Sequence, residues 1–437
     1  MTRPPFELAA LGQVLPAELI RDVLEHTDRQ AKRRRKLPPE LVTWLVVGMA
    51  VFRSLSIANV LRRVVDGLGG DVSWGRAELP SATSIAHARD RLGWETVREI
   101  FRRLAELLGR RHSAASTWLG LAVYALDASC FLAPDTPAND AAFGRAGVTR
   151  GGAKSGYPQL RGVFLVATWT HLVARAVFGP YRKGELTLAQ ELADQIPAGA
   201  LVLMDRGYYS FAWLSGLLDR RVRFVVRAKT SGYCLRPKIT KRFSARDGLA
   251  TLGVPRSTKS KNRELPDEIA VRVLTYAVKG FRPVTLVTDL LDPERYSARA
   301  VTELYHDRWE VELSFREIKT HQVGQRVVFR SQRPERVLQE GYGLLIAYTC
   351  VRALMADAAA GAEAGLQPRR LGFVDCLDRI RASLPLIAAA SPGDQPRLVS
   401  ALLDSLGACI LPPRRTGRRC PRAVKIKMSN YPRKRPA

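Results

Sequence analysis

Three carboxylates in the sequence stand where they could hold a metal ion. Asp127 follows the apolar run "AVYAL", Asp205 follows the apolar run "LVLM", and Glu312 lies in the charged stretch 305–320. A carboxylate beside an apolar strand is costly to bury unless a partner neutralises it, and a metal ion is an economical partner. Three carboxylates without His or Cys select a hard ion that prefers oxygen, Mg²⁺ or Mn²⁺.

The chemistry of such a site is displacement at phosphorus. Two ions about 3.5–4 Å apart activate a water or a 3′-hydroxyl and stabilise the leaving oxygen, which gives phosphodiester hydrolysis or transfer. Each acid alone has a plainer interpretation: Asp127 as a strand-end cap, Asp205 as a helix N-cap, and Glu312 as part of a solvated helix face. The joint placement of the three acids on matching elements favours the metal site.

The stretch around Glu312 carries phosphate-binding groups at helical spacing. If residues 305–320 form one continuous α-helix, Tyr305, Arg308, Glu312 and Lys319 lie within about 60° of one another. Arg308 then offers a planar fork for a phosphate, Lys319 a mobile charge, and Tyr305 a hydroxyl and a stacking face. One helix face would carry a metal ligand and a grip on a nucleic-acid strand.

The other charges of this helix are expected to face solvent. An apolar stripe lies beside the face of Glu312 and consists of Leu304, Val311, Phe315 and Ile318. Glu303, Glu310 and Glu317 point roughly the opposite way, so the sequence predicts that these three acids are exposed.

Residues 113–229 contain the elements that would bring the acids together. Three strand patterns follow one another, and then a helix, the strand before Asp205, a second helix and a fifth strand. Right-handed crossovers make the fourth and fifth strands parallel to the first, so Asp127 and Asp205 converge. This order predicts an α/β fold with a ribonuclease H-like catalytic core, a mixed five-stranded sheet flanked by helices.

The remaining segments divide the chain into five predicted parts. Residues 1–112 read as an α-helical N-terminal domain, and 113–229 as the first part of the core. Residues 230–298 read as a mostly β insertion that interrupts the core. The helix with Glu312 falls in 299–357, and 358–437 form a C-terminal helical segment with a basic tail from Pro412 onward, predicted to be disordered without nucleic acid.

Composition indicates a polyanionic partner. The formal charge is +28, although the hydrophobic fraction, 46%, is that of an ordinary globular protein, so nucleic acid is the first candidate. Six scattered cysteines without a CxxC pair favour a reduced compartment and argue against structural zinc. The longest apolar run, "LVTWLVVGMAVF", is too short to span a bilayer, and the prediction is a soluble cytoplasmic protein.

The N-terminal domain leaves two interpretations open. A basic run, "KRRRK", precedes helical patterns, and residues 81–104 fit a helix-turn-helix variant that reads DNA. A basic helical module that does not read sequence fits equally well, because the turn lacks a sharp signature.

The spacing Tyr-x2-Arg-x3-Glu-x6-Lys, present as Tyr305, Arg308, Glu312 and Lys319, resembles the signature of DDE transposases of the insertion-sequence-four family. The stretches "ALDAS" and "MDRGYYS" resemble the two Asp motifs of that family, and the β insertion before the Glu is also typical of it. The resemblance extends over most of the chain.

This resemblance implies specific roles, partners and location. Asp127, Asp205 and Glu312 would be catalytic and bind two Mg²⁺ ions, for which Mn²⁺ could substitute, and Tyr305, Arg308 and Lys319 would bind DNA. The enzyme would bind the terminal inverted repeats of its element, cleave there and join the 3′-ends to target DNA. Its partners would be double-stranded DNA and a second copy of itself at the ends, with no membrane or small-molecule substrate, and it would be cytoplasmic and nucleoid-associated.

Two alternatives stay open at this point. A nuclease could use the same site for hydrolysis alone, without strand transfer. A catalytically silent, transposase-derived DNA-binding protein is disfavoured, because binding alone has no chemical need for Asp127, Asp205 and Glu312 together.

Overall fold

A computed structural model describes residues 9–31, 33, 36–66, 79–147, 156–230, 234–277, 282–322, 328–362 and 365–412. Much of the basic run at 32–36 and all of the tail after Pro412 lie outside the described residues.

The N-terminal region consists of helices whose starts follow the sequence signals. Pro39 stands in the first turn of the third helix, and the Ser81 hydroxyl caps the fifth by accepting from the Ser84 backbone N–H. The fifth and sixth helices meet at Gly93, whose φ of 74° suits glycine. The helices are α1 Ala9–Gly12, α2 Ala17–His26, α3 Pro39–Val51, α4 Ile57–Asp66, α5 Ala82–Leu92 and α6 Trp94–Arg111.

The central region alternates strands and helices in the predicted order. Its elements are β1 Thr117–Trp118, β2 Leu121–Leu132, α7 Pro137–Phe143, β3 Gln159–Ala167, β4 Val173–Pro180, α8 Glu185–Gln190, β5 Leu201–Met204, α9 Phe211–Asp219 and β6 Arg223–Arg227. The sheet order β4-β3-β2-β5-β6 has β3 and β4 antiparallel, whereas β2, β5 and β6 are parallel. This mixed sheet flanked by helices fits the predicted ribonuclease H-like core.

The segment after β6 is rich in strands, as expected for residues 230–298, and these strands extend the core sheet. It contains β7 Lys238–Ser244, β8 Asp247–Gly253, α10 Arg256–Lys259, β9 Glu268–Tyr276 and β10 Val284–Thr288. Strand β10 pairs antiparallel with β6, so these strands continue the core sheet in the order β6-β10-β9-β8-β7. The physical reason is that β6 would otherwise present an unpaired edge.

The helix that carries Glu312 is not continuous, and the prediction of one α-helix is wrong. The chain forms α11 Ala298–His306, a turn at Asp307 and Arg308, α12 Trp309–Arg316 and a π-helical turn at Glu317–Gln322. A π turn adds a residue to the helical repeat and is frequent at functional sites. Positions beyond Arg316 are therefore rotated away from an α-helical register.

The C-terminal region contains one long apolar helix and two shorter helices. They are α13 Pro334–Gly361, α14 Phe373–Ala389 and α15 Gln395–Gly407. By length and composition α13 could cross a membrane, but nearly all of its apolar stretch is buried. It packs against α3, α6 and α15, so it is the central helix of the largest hydrophobic core.

Candidate active site

Asp127 and Asp205 lie side by side where two parallel strands stop pairing. The last paired residues of β2 and β5 are Leu126 and Met204, and each Asp is the next residue. Asp127 comes two residues after Ala125 in β2, so the two side chains lie on the same side of the sheet. Helix α12 covers that side. The predicted convergence of the two strands therefore places both carboxylates at one point of the sheet.

Asp205 is held in place by the turn that follows it. Its Oδ1 accepts a hydrogen bond from the Gly207 backbone N–H at 2.7 Å and caps a short 3₁₀ turn. A Cβ at position 207 would come within 2.8 Å of that oxygen, which explains the glycine. The N-cap interpretation is thus correct for Asp205, and it leaves the second carboxylate oxygen without a role in the cap.

Arg308 links the helix acid to the strand acid. Its Nη2 lies 3.1 Å from Glu312 Oε1, and its Nη1 lies 3.7 Å from Asp127 Oδ2. The side chain of Arg308 is only 10% exposed, while those of Asp127 and Glu312 are 20% and 38% exposed. A buried guanidinium therefore stands between two carboxylates that open toward solvent.

Burial raises the pKa of the Asp127 carboxyl to about 7. The Ala128 backbone N–H and Arg308 lower that pKa, whereas the charges of Asp205 and Glu312 raise it further. The charges of Asp205 and Glu312 are therefore near enough to Asp127 to influence its pKa. Asp127 has the perturbed pKa that is common at functional sites.

The raised pKa predicts that Asp127 destabilises the fold at alkaline pH. Because the folded-state pKa is about 7 and the ordinary value is 3.8, the folded protein binds the proton more tightly than the unfolded chain. Stability is therefore lost as pH rises from about 4 to 7. In the presence of a chelator, we compare the change in the free energy of unfolding that Asp127→Asn causes at the two pH values. We expect this change to be more stabilising at pH 8 than at pH 4 by on the order of 3 kcal/mol.

Thermal unfolding of both proteins at pH 4 and pH 8 measures this difference. Comparing the two pH values cancels any change in packing that Asn itself introduces. An Asn variant that gains no stability relative to wild type between pH 4 and pH 8 would show that Asp127 titrates normally.

The donor set fits a hard divalent cation. Asp127, Asp205 and Glu312 supply only carboxylate oxygens, which such cations prefer. Within the described part of the chain, no three His, Cys, Asp or Glu side chains lie close enough to share one ion in this conformation. Arg308 lies between two of the acids instead, so a cation would have to displace its guanidinium.

The structure separates Tyr305 and Lys319. The Tyr305 hydroxyl donates to the Met204 carbonyl at 3.1 Å, which ties α11 to the residue just before Asp205. Lys319 lies in the π turn, with Nζ 5.1 Å from the centre of the Phe131 ring, and burial lowers its pKa. Tyr305 therefore joins the carboxylates, whereas Lys319 lies further along β2.

Two of the three acids predicted to be exposed are not, and that prediction is wrong for them. Glu303 is exposed as expected, but Glu310 is 1% exposed, and the side chain of Glu317, which packs against α13 and α14, is only 13% exposed. The reason is that α12 packs on both sides, and its second contact surface is polar. One sequence signal was available, since Arg352 is an isolated charge in the apolar middle of α13.

Comparison with known families defines the class of protein. Residues 118–350 match the family described as "Transposase DDE domain", which covers more than half of the chain. Residues 5–102 match the family described as "Insertion element 4 transposase N-terminal". The fold and the two matches together define a DDE transposase.

A curated relative gives the family. The chain is 34% identical over 432 residues to "Transposase InsG for insertion sequence element IS4" of Escherichia coli K12, covering 97% of this chain and 93% of the relative. The protein therefore belongs to the insertion-sequence-four family of DDE transposases and is a bacterial insertion-sequence transposase. The resemblance carried by Tyr305, Arg308, Glu312 and Lys319 is thereby confirmed at the level of the family.

A solved structure with a similar overall course is the piggyBac transposase synaptic complex with hairpin DNA. The similarity covers 96% of this chain and 87% of that one at 13% identity and a TM-score of 0.42. The family assignment does not depend on it.

Proposed function

We propose that this transposase binds the terminal inverted repeats of its own element, cleaves there, and joins the 3′-ends to target DNA. The observation that carries the proposal is the meeting of Asp127, Asp205 and the Arg308–Glu312 pair at one edge of the sheet. The family membership supplies the class of reaction, and these residues supply a place for it.

Asp127, Asp205 and Glu312 are the proposed metal ligands. Two bound Mg²⁺ ions, with Mn²⁺ able to substitute, would supply charge neutralisation at the phosphate and a nucleophile of lowered pKa. The protein positions its acids from three independent elements, β2, the turn after β5, and α12.

Arg308, Tyr305 and Lys319 are the proposed DNA contacts. Arg308 has a planar fork beside the carboxylates, and once a cation takes its place there it can turn to a phosphate. Tyr305 gives its hydroxyl to the Met204 carbonyl, so its contribution to DNA binding would come from the ring edge or from holding Asp205. The position of the partly buried Lys319 fits a contact further along the DNA strand.

Each of the five predicted parts of the chain has a proposed role. Residues 1–112 would bind DNA, 113–229 with 299–357 would form the catalytic core, 230–298 would be its insertion, and 358–437 would end in the basic tail. Within the N-terminal part, α6 is buried against α13, α2 and β4. Helix α5 instead exposes Ser81, Thr83, Ser84 and His87, so α5 is the better candidate to enter a groove.

The basic tail is expected to contribute uniform, salt-sensitive DNA binding. Residues 413–437 contain ten basic and no acidic residues, whereas the Leu411 and Pro412 carbonyls accept from Arg370 and belong to the fold. We expect deletion of 413–437 to weaken binding of end DNA and random DNA alike, and to flatten the salt dependence by about one unit of slope for each lost phosphate contact.

Fluorescence anisotropy over a range of salt concentrations measures both slopes. A truncated protein with an unchanged slope would show that the tail does not touch DNA.

The proposed partners are the transposon ends, target DNA and a second copy of the chain that bridges two ends. Such a protein would work in the cytoplasm on the nucleoid. A strand-transfer assay tests the proposal: purified protein, end DNA from the flanks of its gene, a target plasmid and Mg²⁺ should give joined products. Cleaved ends that never join would instead indicate a nuclease.

A further inference from the structure

A second cluster of charged side chains lies on the side of α12 away from the carboxylates of the active site. Arg352 of α13 donates through Nε to Glu317 Oε2 at 3.1 Å and through Nη2 to Glu317 Oε1, and the Tyr348 hydroxyl donates to the same carboxylate at 2.7 Å. His171, in the turn between β3 and β4, lies 2.9 Å from Glu310 through Nε2. The cluster joins the sheet, α12 and α13.

The imidazole of His171 lies among the charged groups of the cluster. Its Nδ1 is 2.5 Å from Arg352 Nη2 and 3.4 Å from Glu317 Oε2, and its Nε2 is 2.9 Å from Glu310 Oε2. His171 has a φ of 59°, a left-handed conformation that is unusual for a residue other than glycine, and it directs the ring into this contact.

The cluster is largely enclosed by protein, and its most exposed member is Glu317, whose side chain is 13% exposed. Arg352 is 0% exposed, and Glu310 and His171 are each 1% exposed. Burial alone would raise the pKa of Glu317, but Arg352 and His171 together, through charge and hydrogen bonds, outweigh burial and hold that pKa at about 2. Apolar side chains of similar volume often stabilise a fold as well as a buried ion pair does. The advantage of this arrangement lies in its directionality, because a bidentate pair fixes orientation as well as distance.

The cluster grips the catalytic helix at two points. Glu310 lies in α12 and Glu317 is the first residue of the π turn that continues it, and both carboxylates contact the same imidazole ring, so they lie on one side of this segment. Glu312 lies two residues from Glu310 and therefore on roughly the opposite side. Two fixed points along the helix prevent rotation about its axis and sliding along it, and both movements would carry Glu312 and Arg308 away from Asp127.

We propose that His171, Glu310, Glu317 and Arg352 form a positioning cluster that sets the rotation of α12 and so aims Glu312 and Arg308 at Asp127. These residues contact one another on the side of α12 away from Glu312, so they would act through the helix. The inference rests on the proposed role of Glu312 as a metal ligand.

Glu317→Gln tests the cluster, because it removes one charge and keeps the shape. On end DNA that is already bound, we expect the single-turnover cleavage rate to fall about 100-fold, the effect of a small misplacement of a catalytic group. End affinity should stay within about two-fold of wild type, since the DNA contacts are unchanged. Mn²⁺ binding, followed by electron paramagnetic resonance without DNA, should weaken about ten-fold.

The matched control is Asp247→Asn. Asp247 accepts from Nε and Nη2 of Arg272, another fully buried arginine, at 2.8 and 2.6 Å, but this pair lies between β8 and β9. We expect the control to lose a similar amount of thermal stability and to cleave within about two-fold of wild type. If Glu317→Gln cleaves as fast as Asp247→Asn, the positioning role is overturned.

A charge-free pair separates positioning from stability, even if the single variant does not fold. The double variant Glu317→Met with Arg352→Met removes both charges, and its unfolding temperature should be close to that of wild type. We expect its cleavage to stay about 100-fold slow, whereas recovery of the wild-type rate would overturn the proposal. Full cleavage by Glu312→Gln would be a different failure, that of the assigned metal ligand itself.

Discussion

Replacing Asp127 with Ala is expected to lower the rate of end cleavage by about 10³-fold or more, while end DNA binds nearly as tightly as before. Asp127 lies beside Asp205 where β2 and β5 stop pairing, and its charge faces Glu312. Removing one ligand forfeits several kcal/mol of transition-state stabilisation, and each 1.36 kcal/mol is a factor of about ten in rate. DNA affinity depends mainly on basic residues, which the change leaves in place.

Single-turnover cleavage of a labelled end duplex, with a gel-shift titration in parallel, measures both quantities. Asp205→Ala and Glu312→Gln should behave in the same way, because the proposed site needs all three acids. The matched control is Glu303→Gln, which neutralises an exposed acid in α11 and should cleave at the wild-type rate. Wild-type cleavage by Asp127→Ala would remove that residue from the site.

Replacing Arg308 with Ala should strengthen Mn²⁺ binding and slow DNA cleavage. The guanidinium stands between Asp127 and Glu312, where it competes with a divalent cation for the same oxygens. Without the guanidinium, Mn²⁺ should bind roughly ten-fold more tightly at pH 8.5. An adjacent opposite charge shifts the pKa of a carboxyl group by about one to three units, so an effect of this size is expected. Cleavage should nevertheless fall about 10²-fold, because a preorganised donor to the phosphate is lost.

Arg308→Lys separates charge from geometry. A lysine keeps the competing charge but lacks the fork, so Mn²⁺ affinity should stay near that of wild type while cleavage recovers only in part. Paramagnetic resonance titration gives the affinity and the end duplex gives the rate. If Arg308→Ala binds Mn²⁺ no better than wild type, the guanidinium does not occupy the cation's place.

The sheet and the position of its two aspartates could be predicted because local patterns determine them. Short apolar runs that end at "ALD" and "LMD" specify buried strands, and the handedness of crossovers makes β2 and β5 parallel neighbours. The signature from Tyr305 to Lys319 pointed correctly to the family, because its spacing combines acid, base and aromatic groups.

Tertiary packing decided what the sequence patterns could not. Helix periodicity identifies an apolar stripe, but α12 has a second buried side whose contacts are charges, so Glu310 and Glu317 resembled surface residues. The turn at Asp307 is held by Trp169 and Arg369, both distant in sequence. The edge of β6 likewise recruits β10 across about sixty residues, which no local pattern indicates.

The joining reaction tests the central claim most directly. A pre-cleaved inverted-repeat end with a free 3′-hydroxyl is incubated with a supercoiled target plasmid and Mg²⁺, with wild type or with Asp205→Asn or Glu312→Gln. We predict covalent end–plasmid products with wild type and none with either variant, although both variants retain the end in a gel shift. Joined products from either variant, or a wild type that hydrolyses ends without ever joining them, would contradict a transposase built on Asp127, Asp205 and Glu312.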